Sequence, residues 1–341
     1  MRIGIANGSE LAVEAIRQAL ASVENHQVVW VARNGAEAVA RCAVDTPDLV
    51  LMDLLMQMPG GVDVIRRIMA QSPCAVLVVT ASIEGNAAKV FEAMGAGALD
   101  AVATPTVSRH GRNESTRALL AKIHTVGKLI GEKNGKSLGQ SRGDTALFSR
   151  QSRLVAIGSS AGGPAALARL LQAFPKDFPG SVVIVQHVDA QFAPGLAAWL
   201  NGGGSLPVSV AINGAVPKPG TVLLAGTNDH LVFDRACTLG YTSEPADYAY
   251  RPSVDVFFES VARHWRGEVI GVLLTGMGRD GAKGLKTLRR LGHFTIAQDQ
   301  TTSAVYGMPK AAAEIQAAAA ILPLDKIAPA ILNQFNVKAA A

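Results

Sequence analysis

Residues 154–164 read Leu154-Val155-Ala156-Ile157-Gly158-Ser159-Ser160-Ala161-Gly162-Gly163-Pro164. The first four are an unbroken apolar run, as expected of a parallel strand buried on both faces. The glycines then break the strand. Pro164 falls where the first helical position would be, and a missing N–H costs nothing there. Leu167, Leu170 and Leu171 continue at helical spacing. The reading is strand, glycine turn, helix. Gly158-x-Ser160-x-Gly162 fits a nucleophile elbow, a strained turn that lifts a serine hydroxyl above the sheet edge, with glycines leaving room for a substrate to reach the backbone. Glycine turns of this kind also cradle phosphates at helix N-termini, and this stretch by itself does not separate the two. It lacks the Gly-Lys-Ser/Thr ending of a P-loop.

Further strands flank it. Ser181–Val185 is apolar and ends in Gln186-His187. Glu268–Leu274 is apolar and runs into Thr275-Gly276-Met277-Gly278-Arg279-Asp280-Gly281. Helices are predicted at Phe192–Leu200, at Val254–Trp265 with Ser253 as cap, and at Ala282–Leu291. Shorter strands are expected at Pro207–Ile212, Gly220–Ala225 and His230–Asp234. Three strand ends therefore present Ser160, His187 and Asp280. In a parallel sheet those ends share one rim, where residues distant in sequence converge. Serine, imidazole and carboxylate are what nucleophilic acyl transfer needs. Taken singly, His187 reads as a rim histidine and Asp280 as a helix cap. The order Ser, His, Asp differs from that of α/β-hydrolases, which points to another fold with the same chemistry.

Residues 1–104 alternate strand and helix in the same manner. Apolar runs at Arg2–Ala6, Val28–Ala32, Leu49–Met52, Ala75–Val79 and Leu99–Ala103 predict a five-stranded parallel sheet covered by helices. Its carboxyl rim carries Asn7-Gly8, Asp53, Thr80 and Thr104-Pro105. Residues 105–151 hold a helix at Ser115–Ile130 and then a Gly-, Ser- and charge-rich stretch near 132–151, which reads as a flexible linker. The fold class is α/β: a flavodoxin-like domain, a linker, and a doubly wound, mostly parallel domain over 152–341.

Composition narrows the function classes. The net charge of +5 comes from the connector: Pro105 to Arg153 holds ten Lys/Arg and three Asp/Glu. An excess there larger than that of the whole chain argues against a nucleic-acid groove. Cys42, Cys74 and Cys237 form neither a disulfide framework nor a zinc pattern, and fit a reducing cytoplasm. No leader pattern and no membrane-length apolar run is seen, so a cytoplasmic protein not inserted in membrane is expected.

GSSAGGP, VIVQH, YRPSVDVFFESV, GVLLTGMGRDGAKGL and AQDQTTSAVYGMPKAA follow one another over about 150 residues. In this the chain resembles the chemotaxis-type protein-glutamate methylesterases. In that family a receiver domain of the response-regulator type is joined by a linker to a catalytic domain. MRIGI, WVARNGAEAV and DTPDLVLMDLLM look most like members from alternative chemosensory pathways controlling cyclic-di-GMP synthesis. The resemblance implies a triad of Ser160, His187 and Asp280, with Met277 in the loop whose backbone N–H serves the oxyanion hole. It implies hydrolysis of glutamate γ-methyl esters, and deamidation of glutamines, on chemoreceptor helices, with no cofactor. Many members have threonine where this chain has Ala161. His230 is expected to be structural. Replacing Asp280 by asparagine is expected to spare the fold.

For the receiver the resemblance puts Asp53 at the phospho-acceptor position and Thr80 at the phosphate-contacting hydroxyl, with a histidine kinase as partner. Asn7-Gly8 replaces the acidic pair that would hold Mg²⁺, and Thr104 replaces the lysine. These losses argue against ordinary phosphorylation of Asp53 and for a receiver kept as an interaction or inhibitory module. A pure scaffold and a phosphate- or nucleotide-binding module are the competing readings. The scaffold would leave Ser160 dispensable, and the binding module would leave His187 and Asp280 incidental.

Overall fold

The computed structural model describes the chain except for residues 24–25, 57–58, 82–85, 107–113, 132–152, 247, 249 and 336–341. The linker expected at 132–151 lies outside the described residues. Two compact units emerge, Met1–Ser137 and Leu138–Ala341.

The first unit runs β1 (Arg2–Ala6), α1 (Glu10–Ala21), β2 (Gln27–Ala32), α2 (Gly35–Val44), β3 (Leu49–Met52), α3 (Gly61–Gln71), β4 (Ala75–Thr80), α4 (Ala87–Gly95), β5 (Asp100–Ala103) and α5 (Glu114–Gly131). The strands form one parallel sheet in the order β2-β1-β3-β4-β5. Ser9 starts α1 by accepting the Ala12 N–H, and Asn34 starts α2 by accepting the Glu37 N–H. The apolar stripe of α1, with Val13, Ile16 and Leu20, packs on Ile3, Ile5, Leu49 and Leu51. Leu119, Ile123 and Val126 of α5 join that core, so the helix grouped with the connector by sequence packs within this unit. Strand order reverses beside β1 and β3, and Asp53 follows β3 at that switch point, where α/β sheets place their sites.

The second unit runs β6 (Arg153–Ser159), α6 (Gly163–Gln172), β7 (Ser181–Gln186), α7 (Ala193–Gly203), β8 (Val208–Val210), β9 (Val222–Leu224), β10 (His230–Phe233), β11 (Leu239–Thr242), α8 (Val254–His264), β12 (Glu268–Leu273), α9 (Ala282–Arg290), β13 (Phe294–Gln298), α10 (Met308–Glu314), β14 (Ala320–Leu322) and α11 (Leu324–Gln334). Its main sheet has the order β14-β13-β12-β6-β7-β9-β8 and is parallel throughout. β10 and β11 form a separate antiparallel hairpin. Phe233, Phe257, Phe258, Val261 and Leu285 carry the core on the α8–α9 side. β6, which carries the glycine turn, lies in the middle with β12 on one side and β7 on the other. Their three carboxyl ends are therefore immediate neighbours.

Two details of the turn differ from the elbow expected. Ser160 is not in the left-handed region; the left-handed position is Gly162, at φ +75°, which glycine adopts without strain. The glycines make room for protein rather than for substrate. A Cβ on Gly158 would lie 2.2 Å from Val254, and one on Gly163 would lie 2.0 Å from the Gln186 side-chain oxygen. Real Cβ atoms do not approach so closely, so these positions are small because the first turn of α8 and the Gln186 amide occupy the space.

Candidate active site

Register sets the site. β6 and β7 pair Ser159 with Gln186, so Ser160 and His187 are the next residues on adjacent strands. The His187 N–H donates to the Ser159 carbonyl at 3.0 Å. Gln186 staples the corner: its Oε1 accepts the Ser159 hydroxyl at 2.7 Å, and its Nε2 donates to the Ser160 carbonyl at 2.9 Å. Ser159 is thus fully buried with its hydroxyl engaged, whereas Ser160 keeps partial access.

Asp280 arrives from the loop after β12. Its Oδ2 lies 2.7 Å from His187 Nε2, with both side chains below a tenth exposed. The same carboxylate accepts the Ser253 hydroxyl and the N–H groups of Val254, Asp255 and Gly281 at 2.7–3.0 Å. It therefore caps a helix, as a lone aspartate often does, but the helix is α8 rather than its own α9. Burial pushes the Asp280 carboxyl up, but the His187 contact and the backbone donors outweigh that and hold it below the usual carboxylate range. An ionised carboxylate fixes the tautomer: Nε2 carries the proton and Nδ1 presents the lone pair. His187 Nδ1 is buried and has no hydrogen-bond partner. Nδ1 is thus the ring nitrogen left for proton transfer, and strand register is what sets His187 next to Ser160; in a site without substrate a base and its nucleophile need not yet be bonded.

The loop from Thr275 to Asp280 forms the other wall. The Ser160 N–H donates to the Thr275 carbonyl at 3.1 Å, so it is spent. Among the described residues, the Met277 and Ala161 N–H groups have no internal acceptor. A Cβ on Gly276 would lie 2.8 Å from that of Ser160, so only glycine lets this loop run alongside the serine. His230 is fully buried; its Nδ1 accepts the Ser253 N–H at 3.0 Å, and its Nε2 meets the Pro245 carbonyl at 3.1 Å. It holds the start of α8, which in turn holds Asp280.

The receiver rim is less complete. Asp53 is partly buried; loss of solvent raises its carboxyl, and the Leu55 and Leu54 N–H groups offset only part of this. Asn7 turns its side-chain oxygen to the Ser9 N–H. Gly8 has no side chain, and among the described residues no group of three His, Cys, Asp or Glu is placed to hold a metal ion. Asn7 and Gly8 thus stand where the two carboxylates that would share Mg²⁺ with Asp53 are expected. Thr80 is buried, and its hydroxyl oxygen accepts from Asn86 Nδ2 at 3.2 Å.

Comparison with known proteins decides the family. The CheB methylesterase family matches residues 155–331, and the response regulator receiver domain matches residues 3–111. The chain belongs to the CheB methylesterase family. The protein-glutamate methylesterase/protein-glutamine glutaminase 3 of Pseudomonas aeruginosa PAO1 is 58% identical over 98% of this chain and 100% of its own. A Pseudomonas fluorescens Pf0-1 relative of the same name, numbered 1, is 57% identical over 98% of this chain and 99% of its own. The crystal structure of the Thermotoga maritima CheB methylesterase catalytic domain matches with a TM-score of 0.52 at 34% identity, covering 54% of this chain and 98% of that one. A parallel sheet with a receiver ahead of a CheB catalytic domain is what the strand pattern and motifs implied. No described helix is long and apolar enough to cross a membrane.

Two residues of this CheB site lie in the quoted YRPSVDVFFESV stretch without a role read from sequence. Tyr250 lies flat on the His187 imidazole, ring centroids 4.4 Å apart and planes 5° apart. Asp255, buried in the first turn of α8, lies behind Asp280. Burial first, and then the Asp280 charge, push its carboxyl up to about 7. Its one legible signal was position: an acid inside Val254-Asp255-Val256-Phe257, where the neighbours face the core.

Proposed function

We propose that Ser160 is the nucleophile, His187 the general base and Asp280 the residue that orients it, in hydrolysis of glutamate γ-methyl esters. The enzyme is a protein-glutamate methylesterase and protein-glutamine glutaminase. The observation that carries the assignment is the buried Asp280–His187 pair, with His187 and Ser160 the next residues on adjacent strand ends.

The steps follow. The Ser160 hydroxyl attacks the ester carbonyl and its proton passes to His187 Nδ1. Asp280 stabilises the resulting imidazolium. The N–H groups of Met277 and Ala161 are the donors available to the developing oxyanion. As the tetrahedral adduct collapses, the carbonyl carbon–methoxy oxygen bond breaks and the His187 proton leaves with methanol. Water then gives a proton to His187 and its oxygen to the acyl carbon. Collapse returns the proton to Ser160 and frees the glutamate carboxylic acid, which loses its proton to solvent. With glutamine the leaving group is ammonia. No step calls for a metal or cofactor.

The substrate is the cytoplasmic helices of methyl-accepting chemoreceptors, whose demethylation resets signalling in adaptation, and the receiver is the contact for a chemotaxis-type histidine kinase. The protein acts in the cytoplasm, without nucleic acid. The test is methanol release from methylated receptor. Wild type should release it and Ser160→Ala should not; equal release by both would overturn the assignment.

A further inference from the structure

We infer that Tyr250 is a positioning residue for the esterase reaction, its ring face holding the His187 imidazole at the tilt that serves Ser160. This rests on the triad reading above.

A hydrogen bond from Nε2 to Asp280 fixes the tip of the imidazole but leaves the tilt of its plane free. A flat aromatic contact removes that freedom, and the two rings are 4.4 Å apart and within 5° of parallel. The other end of Tyr250 reaches the opposite wall. A Cβ on Gly278, which has φ +83°, would lie 3.2 Å from the tyrosine hydroxyl oxygen. The ring therefore stacks on the base with its hydroxyl end close to the loop that carries Met277.

The contact also changes in strength during the reaction. Before proton transfer it joins two neutral rings. Afterwards it sets an imidazolium over an electron-rich face, well inside the ~6 Å over which cation–π attraction acts. Attraction that appears only as the proton arrives lowers the barrier without tightening substrate binding. Cation–π attraction of usual size corresponds to roughly a tenfold effect on turnover.

The experiment uses the full-length protein with Tyr250→Leu and Tyr250→Phe. Tyr250→Leu should lower kcat about tenfold with KM little changed, and Tyr250→Phe should keep the wild-type value, because the ring face remains. Nuclear magnetic resonance supplies a readout independent of turnover. The carbon-bound imidazole protons of His187, identified by their loss in His187→Gln, should lie upfield in wild type and Tyr250→Phe, and move downfield in Tyr250→Leu. Should Tyr250→Leu melt far below wild type, Tyr250→Met supplies the aliphatic replacement. Unchanged kcat and resonances in the aliphatic variant would overturn the inference. So would a rise in KM alone, which marks a substrate contact, or an equal loss in Tyr250→Phe, which marks the hydroxyl. Absence of Ser160-dependent turnover in wild type is distinguishable from all of these, and would overturn the triad reading and this role with it.

Discussion

Asp255 and Asp280 lock two helices to each other. The Asp255 N–H donates to Asp280 at 2.9 Å, while the Asp255 carboxylate accepts the Gly284 N–H at 2.8 Å. Each acid thus serves the first turn of the other's helix. The helices cross so closely that a Cβ on Gly284 would lie 2.6 Å from the Phe258 Cβ. The carboxylate that holds His187 is therefore built into the packing of α8 on α9.

That lock makes stability depend on pH. Asp255 moves from an ordinary 3.8 up to about 7 on folding. Between those values the folded chain holds a proton that the unfolded chain has lost, so this group makes stability fall as pH rises. The gap of about three units is worth on the order of 4 kcal/mol. Asp280, held low, acts oppositely: its contribution is present above pH 3.8 and is lost as pH falls through its folded value. Melting curves from pH 4 to 8 should show a downward trend with pH that is weaker in Asp255→Asn. Parallel trends in the two proteins would contradict this.

Asp280→Asn should cost both turnover and fold. In a serine protease triad the same change lowers turnover about 10⁴-fold, through the wrong tautomer. Here each carboxylate oxygen serves at least two buried donors. Whichever oxygen becomes the amide NH₂, at least two of them lose an acceptor, at about 1–3 kcal/mol each. The sequence alone suggested an undisturbed fold. A melting temperature equal to wild type would restore that view.

A serine-directed phosphonate should label Ser160 and leave Ser159 untouched, because the Ser159 hydroxyl is buried against Gln186. Peptide mapping by mass spectrometry reads this directly. Ser159→Ala should still be labelled, with stability lower by about 1 kcal/mol for the lost hydrogen bond. Labelling centred on Ser159 would reverse the assignment.

Acetyl phosphate with Mg²⁺ should raise esterase activity less than twofold. A doubly charged phosphoryl group on Asp53 needs cations nearby, and Asn7, Gly8 and Thr104 provide none. Activity of full-length protein with and without acetyl phosphate, beside Asp53→Asn, is the comparison. Strong activation abolished by Asp53→Asn would show a working phosphorylation pocket.

The apolar runs made β6, β7 and β12 readable, and a parallel rim was enough to bring Ser160, His187 and Asp280 together. Less of the remainder was legible. α2 buries only Gly35, Ala38 and Cys42, too narrow a stripe to stand out by periodicity. The β13–α10–β14–α11 stretch contains many alanines and short runs, yet it supplies Gln298, whose side chain accepts the N–H of Thr275, the residue whose carbonyl accepts the Ser160 N–H. Tyr250 could not be found from spacing, because its role depends on a tertiary stack. Nor could a sequence pattern tell that the glycines beside Ser160 yield to Val254 and Gln186, since a glycine kept for packing and one kept for substrate look alike in a string.

The imidazole of His187 sits in the reverse of the serine protease arrangement, where Nδ1 faces the carboxylate and Nε2 the serine. Here Asp280 takes Nε2, which leaves Nδ1, the nitrogen nearer the main chain, as the unbonded one. A substrate-like alkylating agent delivered to the serine side would therefore be captured at Nδ1 and yield the τ-unmodified, π-alkylated histidine. The regiochemistry of that adduct would be a chemical signature separating this hydrolase from enzymes that share its three residue types.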